Sequence, residues 1–168
     1  SSGLKNVYIG CSAGFRATTA CCNIAIGPGA GGVGSPSDHT GNSNVSIGDR
    51  AAGCLTSGTR NIVMGVAAGL NLQTGNDNVY LGYAAGYSFG GTGTACDNIF
   101  IGQYVGAMRG VTGGCNVFLG RDAGKYMCAG THNIGMGYQA MGATTMCGDH
   151  NIALGYRAAC NMNTGNHN

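Results

Sequence analysis

The sequence predicts an all-β protein, a parallel β-solenoid of about nine coils with 17–21 residues each, and three observations support this prediction. A pentapeptide recurs along the chain: Asn, then Val or Ile, a variable residue, then Ile, Leu or Met, and finally Gly. The spacings between the repeat asparagines are 17, 21, 17, 17, 20, 18, 17, 18 and 17, and such a period is typical of repeat architectures. Glycine accounts for 34 of 168 residues, glutamate is absent and no apolar run keeps helical spacing, so helices are not expected.

The repeat array covers the whole chain, residues 1–168, as a single domain of stacked coils. The chain enters the repeat just before Asn6 and leaves it at Asn168, at the same phase of the period. We therefore expect either a segment of a longer fibre or a filament subunit whose open sheet edges join head to tail. The nine coils begin at Asn6, Asn23, Asn44, Asn61, Asn78, Asn98, Asn116, Asn133 and Asn151.

Each coil is expected to contain two short strands and two turns. Alternation within the pentapeptide places its two large aliphatic side chains on one face of a strand, which we assign to the core. The Gly then marks a bend, and a small residue three positions later, such as Ala51 or Ala68, permits close approach of the chain. Segments such as Thr74-Gly75-Asn76-Asp77 are typical turns. Stacking of the coils pairs equivalent strands in parallel.

The nine asparagines that begin the coils are predicted to form a structural ladder along the solenoid axis. Stacked side-chain amides hydrogen-bond from one coil to the next, and Asn also tolerates the left-handed backbone of a tight corner. Their recurrence therefore needs no catalytic explanation.

The variable middle residue of the pentapeptide is expected to point to the opposite face of the strand. It is uncharged in every coil, so this face is not expected to meet water. Neighbouring copies of the chain would cover it in a parallel homo-oligomer, and a monomer with an apolar stripe for another partner is the alternative. The candidate oligomer-face residues are Tyr8, Val63, Tyr80, Phe100 and Phe118.

Nine cysteines in 168 residues favour an oxidising, extracellular compartment. Cys96 and Cys115 lie one coil apart at nearly the same phase, as do Cys128 and Cys147. Because parallel neighbours stand about 4.8 Å apart, we predict a disulfide for each pair. An odd total leaves at least one thiol free or bonded to another chain. The cysteines without an assigned partner are Cys11, Cys21, Cys22, Cys54 and Cys160.

No catalytic site, cofactor or metal ion is expected. The net charge of +2 is too small to indicate nucleic acid or an anionic membrane, and no 18-residue apolar stretch predicts membrane insertion. His132, His150 and His167 precede repeat asparagines in successive coils and should stack, with a metal or anion row as the alternative to plain turn residues. Asp77 and Asp97 hold the same position in two earlier coils, where adjacent carboxylates could hold a cation.

Extra residues lengthen three loops, at 32–39, 88–95 and, slightly, 108–113. Their Gly, Ser and Thr content suits either glycan contact or simple solvation. The sequon Asn44-Val45-Ser46 is a formal glycosylation site. Because Asn44 belongs to the predicted ladder, its modification is not expected.

The pattern Asn-x-x-Ile-Gly-x-x-Ala, preceded by Thr-Gly-Asn-x, resembles the YadA-like head repeats of trimeric autotransporter adhesins. Runs such as Gly137-Tyr138-Gln139-Ala140 and Gly155-Tyr156-Arg157-Ala158 are similar to repeats in bacteriophage tail-fibre shafts. The resemblance covers all nine coils and implies a left-handed β-roll with three chains side by side, acting as a stiff stalk or an adhesive head. This chain departs from the pattern in its longer coils and its many cysteines.

We therefore expect a non-enzymatic structural or adhesive fibre protein, located on a cell surface, on a virion or in a secreted filament. Its expected partner is itself, in a trimer or a head-to-tail filament, with cell-surface glycans as a further candidate. The alternatives are a solenoid that binds a glycan or ice through a flat face, and a glycan-cleaving spike. No Thr-x-Thr row recurs at a fixed phase, which disfavours ice, and the absence of Glu disfavours the spike.

Overall fold

The computed structural model describes residues 4–32, 34, 37–88, 93–107, 112–145, 147–162 and 164–168, and within them nine short strands form one parallel sheet. Each strand has three residues and pairs in register with its neighbours in sequence, without crossovers. The strands are β1 (Val7–Ile9), β2 (Ile24–Ile26), β3 (Val45–Ile47), β4 (Ile62–Met64), β5 (Val79–Leu81), β6 (Ile99–Ile101), β7 (Val117–Leu119), β8 (Ile134–Met136) and β9 (Ile152–Leu154). The predicted all-β solenoid is therefore confirmed.

The expectation of two strands per coil is wrong. Outside β1–β9, the described residues contain two isolated parallel bridges, Ala17 with His39 and Leu72 with Gly93. The other described residues of each coil form turns, bends and irregular backbone, because residues in the left-handed region interrupt the extended backbone, as at Ala67 and Gly69 with φ of 55° and 52°. In the part of the chain that the structure describes, each coil therefore carries a single strand.

In the first eight coils, the Gly that ends the pentapeptide is required by both its conformation and its neighbours. At Gly102, φ is 137°, in a region that L side chains rarely adopt. A Cβ added there would lie 2.7 Å from the carbonyl oxygen of Gly120 in the next coil. Glycine therefore allows successive coils to stack at sheet spacing.

The predicted assignment of inner and outer faces is reversed in the structure. The middle residue of each strand points into the solenoid: Val63, Phe100 and Phe118 are fully buried and Tyr80 is 1% exposed. Tyr8, in the first coil, holds the same register position and is half-buried. These five candidates for the oligomer face therefore belong to the core of one chain. The two flanking aliphatic side chains of each strand point outward instead.

The interior accepts one large side chain per strand because a small residue follows six positions later. A Cβ on Gly86 would lie 2.5 Å from the Tyr80 ring, and one on Gly106 would lie 2.6 Å from the Phe100 ring. The strand β8 reverses the order of sizes, since Gly135 is its middle residue and the buried Met141 follows six positions later. Tyr80 and Phe100 stack with ring centroids 5.0 Å apart, which forms an aromatic centre in this core.

The repeat asparagines form a continuous chain of hydrogen bonds along the axis. In each rung, the backbone N–H of one Asn donates to the Oδ1 of the preceding Asn, and in most rungs its Nδ2 donates there as well. For Asn61, these bonds to Asn44 measure 2.9 and 3.0 Å, and Nδ2 also donates to the carbonyl of Gly75 at 2.8 Å. The asparagines from Asn23 to Asn151 are 0–2% exposed. The ladder thus satisfies buried backbone groups at every coil boundary.

The predicted disulfides are not formed, and no disulfide joins any of the nine cysteines. Cys96 stands two residues before its repeat Asn and Cys115 stands one before, so Cys115 is stacked on Asp97 rather than on Cys96. Asp97 and Cys115 share the left-handed φ of 60°. Cys128 and Cys147 are offset by one position in the same way. A one-residue offset places two side chains in different rows of the solenoid.

Candidate functional site

The outward face of the sheet is apolar along all nine strands, and we name it the aliphatic face. Its exposed fractions include 41% for Ile62, 39% for Ile99 and 64% for Leu154. The face contains eighteen side chains and none is polar or charged. They are Val7, Ile9, Ile24, Ile26, Val45, Ile47, Ile62, Met64, Val79, Leu81, Ile99, Ile101, Val117, Leu119, Ile134, Met136, Ile152 and Leu154.

A row of polar side chains borders the aliphatic face where the chain enters each strand, and we name it the corner row. Each member precedes a repeat Asn, is exposed and has a φ between 57° and 61°, so all the side chains leave the backbone in the same direction. The row runs Lys5, Cys22, Ser43, Arg60, Asp77, Asp97, Cys115, His132, His150 and His167.

Neighbouring members of the corner row contact each other across the coil boundary. The Nε and Nη2 atoms of Arg60 each donate to one carboxylate oxygen of Asp77 at 2.7 Å. These bonds lower the pKa of Asp77. Asp77 is therefore neutralised by Arg60, and it is not one half of a carboxylate pair with Asp97.

The three histidines of the corner row stack as the sequence predicts. The ring centroids of His132 and His150 are 4.9 Å apart at an interplanar angle of 1°, and those of His150 and His167 are 4.9 Å apart at 15°. Asp149 lies beside them: its Oδ1 accepts bonds from the backbone N–H and hydroxyl of Thr131 at 2.6 and 3.0 Å. These bonds lower the pKa of Asp149, and the neighbouring imidazoles act in the same direction.

A second group of side chains, which the sequence analysis did not single out, lies where the chain leaves the strands. Tyr138 and Tyr156 stack at 5.4 Å, and the guanidinium of Arg121 lies 6.0 Å from the Tyr138 ring centre. The Lys125 ammonium lies 5.4 Å from the ring of Tyr104. The signal was the shared position of Arg121, Tyr138 and Tyr156 directly after the pentapeptide Gly.

His39 is a buried polar side chain that sequence reasoning also missed. It is 1% exposed, and neither ring nitrogen makes a well-formed hydrogen bond, although the Gly31 backbone interacts with the ring. Burial lowers its pKa. Its backbone bridges to Ala17, and Leu55 occupies the same interior row in the next coil. The long loop before Asn44 hid this equivalence, because His39 stands five residues before its Asn and Leu55 six.

The asparagine of the formal sequon, Asn44, is buried and hydrogen-bonded within the ladder. Asn44 is 2% exposed, and its Nδ2 donates to the Gly58 carbonyl at 2.8 Å and to the Oδ1 of Asn23 at 3.2 Å. A glycan on this nitrogen would break the ladder. Parts of all three predicted long loops lie outside the described residues: 33, 35–36, 89–92 and 108–111.

Within the described ranges, no group of three or more His, Cys, Asp or Glu side chains is placed to hold a metal ion, and no helix has the length and hydropathy needed to cross a bilayer. No protein-family model, curated protein or solved structure matches this chain.

Proposed function

We propose that this chain is a non-enzymatic building block of an extracellular fibre, in which copies lie side by side and cover one another's aliphatic faces. The observation that carries the proposal is the unbroken apolar surface of eighteen side chains along all nine strands. Contiguous apolar patches of this kind are rare on monomeric proteins and mark interaction surfaces. A single chain leaves them in contact with water.

The size of the aliphatic face fits association between copies. With exposed fractions near 40% for Ile62, Met64 and Ile99, eighteen such residues expose on the order of 1,000 Å², against roughly 800 Å² per partner in a standard interface. Three copies per fibre is the number implied by the resemblance to adhesin head repeats. The extracellular location rests on the same resemblance, and surface labelling of intact cells or virions tests it.

Two lysines at the centre of the aliphatic face test the assembly. The double variant Ile62→Lys, Ile99→Lys is expected to be a folded monomer under conditions in which the unchanged chain is an oligomer by light scattering after gel filtration. The reason is that charged side chains at the centre of an interface remain desolvated and unpaired. Ser57→Lys is the matched control, because Ser57 is exposed in a turn away from the sheet. Far-UV circular dichroism verifies the fold of each variant.

A folded, monomeric unchanged chain would overturn the side-by-side arrangement. That outcome would favour the ligand-binding alternative, because the aliphatic face is regular along nine in-register strands. Thermal hysteresis and binding to immobilised glycans would then be the measurements of choice. Within a fibre, glycan binding by the oligomer would distinguish an adhesive head from a purely structural shaft.

A further inference from the structure

We propose that the histidine stack of the corner row is a binding site for one divalent transition-metal ion, such as Zn²⁺, held between two neighbouring imidazoles. The proposal concerns the corner row and does not depend on the fibre. Its basis is the placement of His132, His150 and His167 in single file, with parallel rings 4.9 Å apart. Imidazole is a preferred ligand of zinc, nickel and copper.

The geometry requires a small movement for binding. Zinc–nitrogen bonds are about 2.0–2.1 Å long, so two nitrogens on one tetrahedral ion stand about 3.4 Å apart and the rings must lean together by about 1.5 Å. All three side chains are exposed, which leaves them free to rotate. The bidentate Arg60–Asp77 pair shows that neighbouring members of this row meet closely across a coil boundary. Water completes the coordination sphere.

A fixed negative charge favours a cation at this place. The Asp149 carboxylate is anchored by two hydrogen bonds to Thr131 and interacts electrostatically with both His132 and His150. The nearest Lys or Arg of the corner row is Arg60, four coils before His132, and Asp77 already neutralises it. The stack therefore places imidazole nitrogens beside a fixed carboxylate.

Because the three histidines lie in one line, the central histidine should affect zinc affinity much more than either outer one. His150→Asn leaves His132 and His167 two coils apart, too far to share one ion, so we expect the apparent affinity to fall about 100-fold with the loss of the chelate. His132→Asn and His167→Asn each leave one adjacent pair and are expected to cost about twofold, since one of two equivalent pairs remains. Asn is chosen because it tolerates the left-handed backbone.

The experiment is a zinc titration of the whole chain after alkylation of its thiols, followed through the ¹⁵N shifts of the histidine rings. The three stacked imidazoles should respond, and His39 should not, because it is buried. Ser43→Asn is the matched control: Ser43 lies in the same row with a φ of 59° but carries no imidazole. It should bind zinc like the unchanged chain.

The double variant His132→Asn, His167→Asn provides a second test, because it removes both pairs while retaining His150. It should bind as weakly as His150→Asn. Equal, modest losses in the three single variants would mean independent single-histidine binding and would overturn the proposal. Ring shifts that do not respond to zinc would overturn it as well.

Discussion

At the scale of single residues, the repeat Asn carries both a hydrogen-bond acceptor and a hydrogen-bond donor on one short side chain. Its Oδ1 accepts from the following coil and its Nδ2 donates both along the ladder and to a turn carbonyl, as at Asn78. Asp lacks the donor and Ser lacks the reach to bond in both directions. The recurrence of Asn is therefore explained by backbone satisfaction.

Removal of one rung should be costly. Asn78→Ala is expected to lower the free energy of unfolding by about 3 kcal/mol or more, because buried partners in two coils lose their hydrogen bonds. Asn161→Ala is the control, since Asn161 is an exposed turn residue outside the ladder. Urea titrations of the two variants give the comparison. Equal losses would show that the rungs contribute no more than a surface amide.

His39 is the residue where local chemistry conflicts with the fold. Its two ring nitrogens are buried without a well-formed hydrogen bond, and a weak interaction with the Gly31 backbone does not offset the burial. Because burial lowers its pKa, the native state binds its proton less readily than the unfolded chain does. Stability is therefore unaffected by this group above the unfolded pKa of about 6.5 and falls as the pH drops below it.

His39→Leu is expected to raise the free energy of unfolding by about 1–3 kcal/mol at pH 7.5, because the unsatisfied nitrogens are removed. The gain should grow between pH 7 and pH 5, since the variant lacks the proton-linked loss. Urea unfolding at both pH values measures the effect. A gain that is the same at both would assign the pH dependence to other groups.

At the scale of the element, each strand is a three-residue segment held between corners that require unusual backbone conformations. The Gly after the strand combines a φ of 120–137° with close approach of the next coil. The positive φ and the close contact both require glycine at this position, and the last coil allows the two effects to be measured separately. Gly155 in the last coil has a φ of 120° but no atom within 4 Å of an added Cβ.

Gly102→Ala is expected to destabilise the protein by about 3 kcal/mol or more, because backbone strain adds to a clash with Gly120. Gly155→Ala should cost about 1–2 kcal/mol from strain alone. Thermal unfolding of both variants separates the two contributions. If Gly155→Ala proves as damaging as Gly102→Ala, close stacking is not what selects this residue.

At the scale of the whole molecule, the fold is one-dimensional. Each strand contacts its sequence neighbours, and the side-chain rows continue from coil to coil. Stability is then expected to be a sum of coil and interface contributions. Removing a whole period should preserve every row, whereas removing one residue fewer should not.

Deletion of residues 62–78, one full 17-residue period, is expected to give a folded solenoid that joins Asn61 directly to Val79. Its denaturant m-value should fall by roughly a ninth, in proportion to the surface exposed on unfolding. Deletion of residues 62–77 retains an extra Asn78 and should disrupt the register, with loss of cooperative unfolding. Equal stability of the two deletions would contradict a fixed coil register.

Much of the fold follows from the period alone, because stacking of equivalent residues is the way a repeated coil satisfies its backbone. The direction of the strand side chains was mispredicted for a physical reason. Both faces of the strands are largely apolar, and two aliphatic side chains per strand carry more apolar volume than one variable residue, so periodicity favours the wrong face as the core. A finer signal was present: Tyr80, Phe100 and Phe118 are each followed six residues later by Gly, whereas Gly135 is followed by Met141. Compensating volumes of this kind mark a shared interior.

The sequence by itself determined the repeat unit, the parallel stacking, the asparagine ladder and the histidine stack, because each depends on equivalent positions recurring at one phase. The tertiary structure alone decided which face is the core, whether cysteines one coil apart meet, and what His39 contacts. These depend on where a narrow coil bends and how much volume it encloses. A one-residue offset moves a side chain into another row, and periodicity cannot resolve that difference.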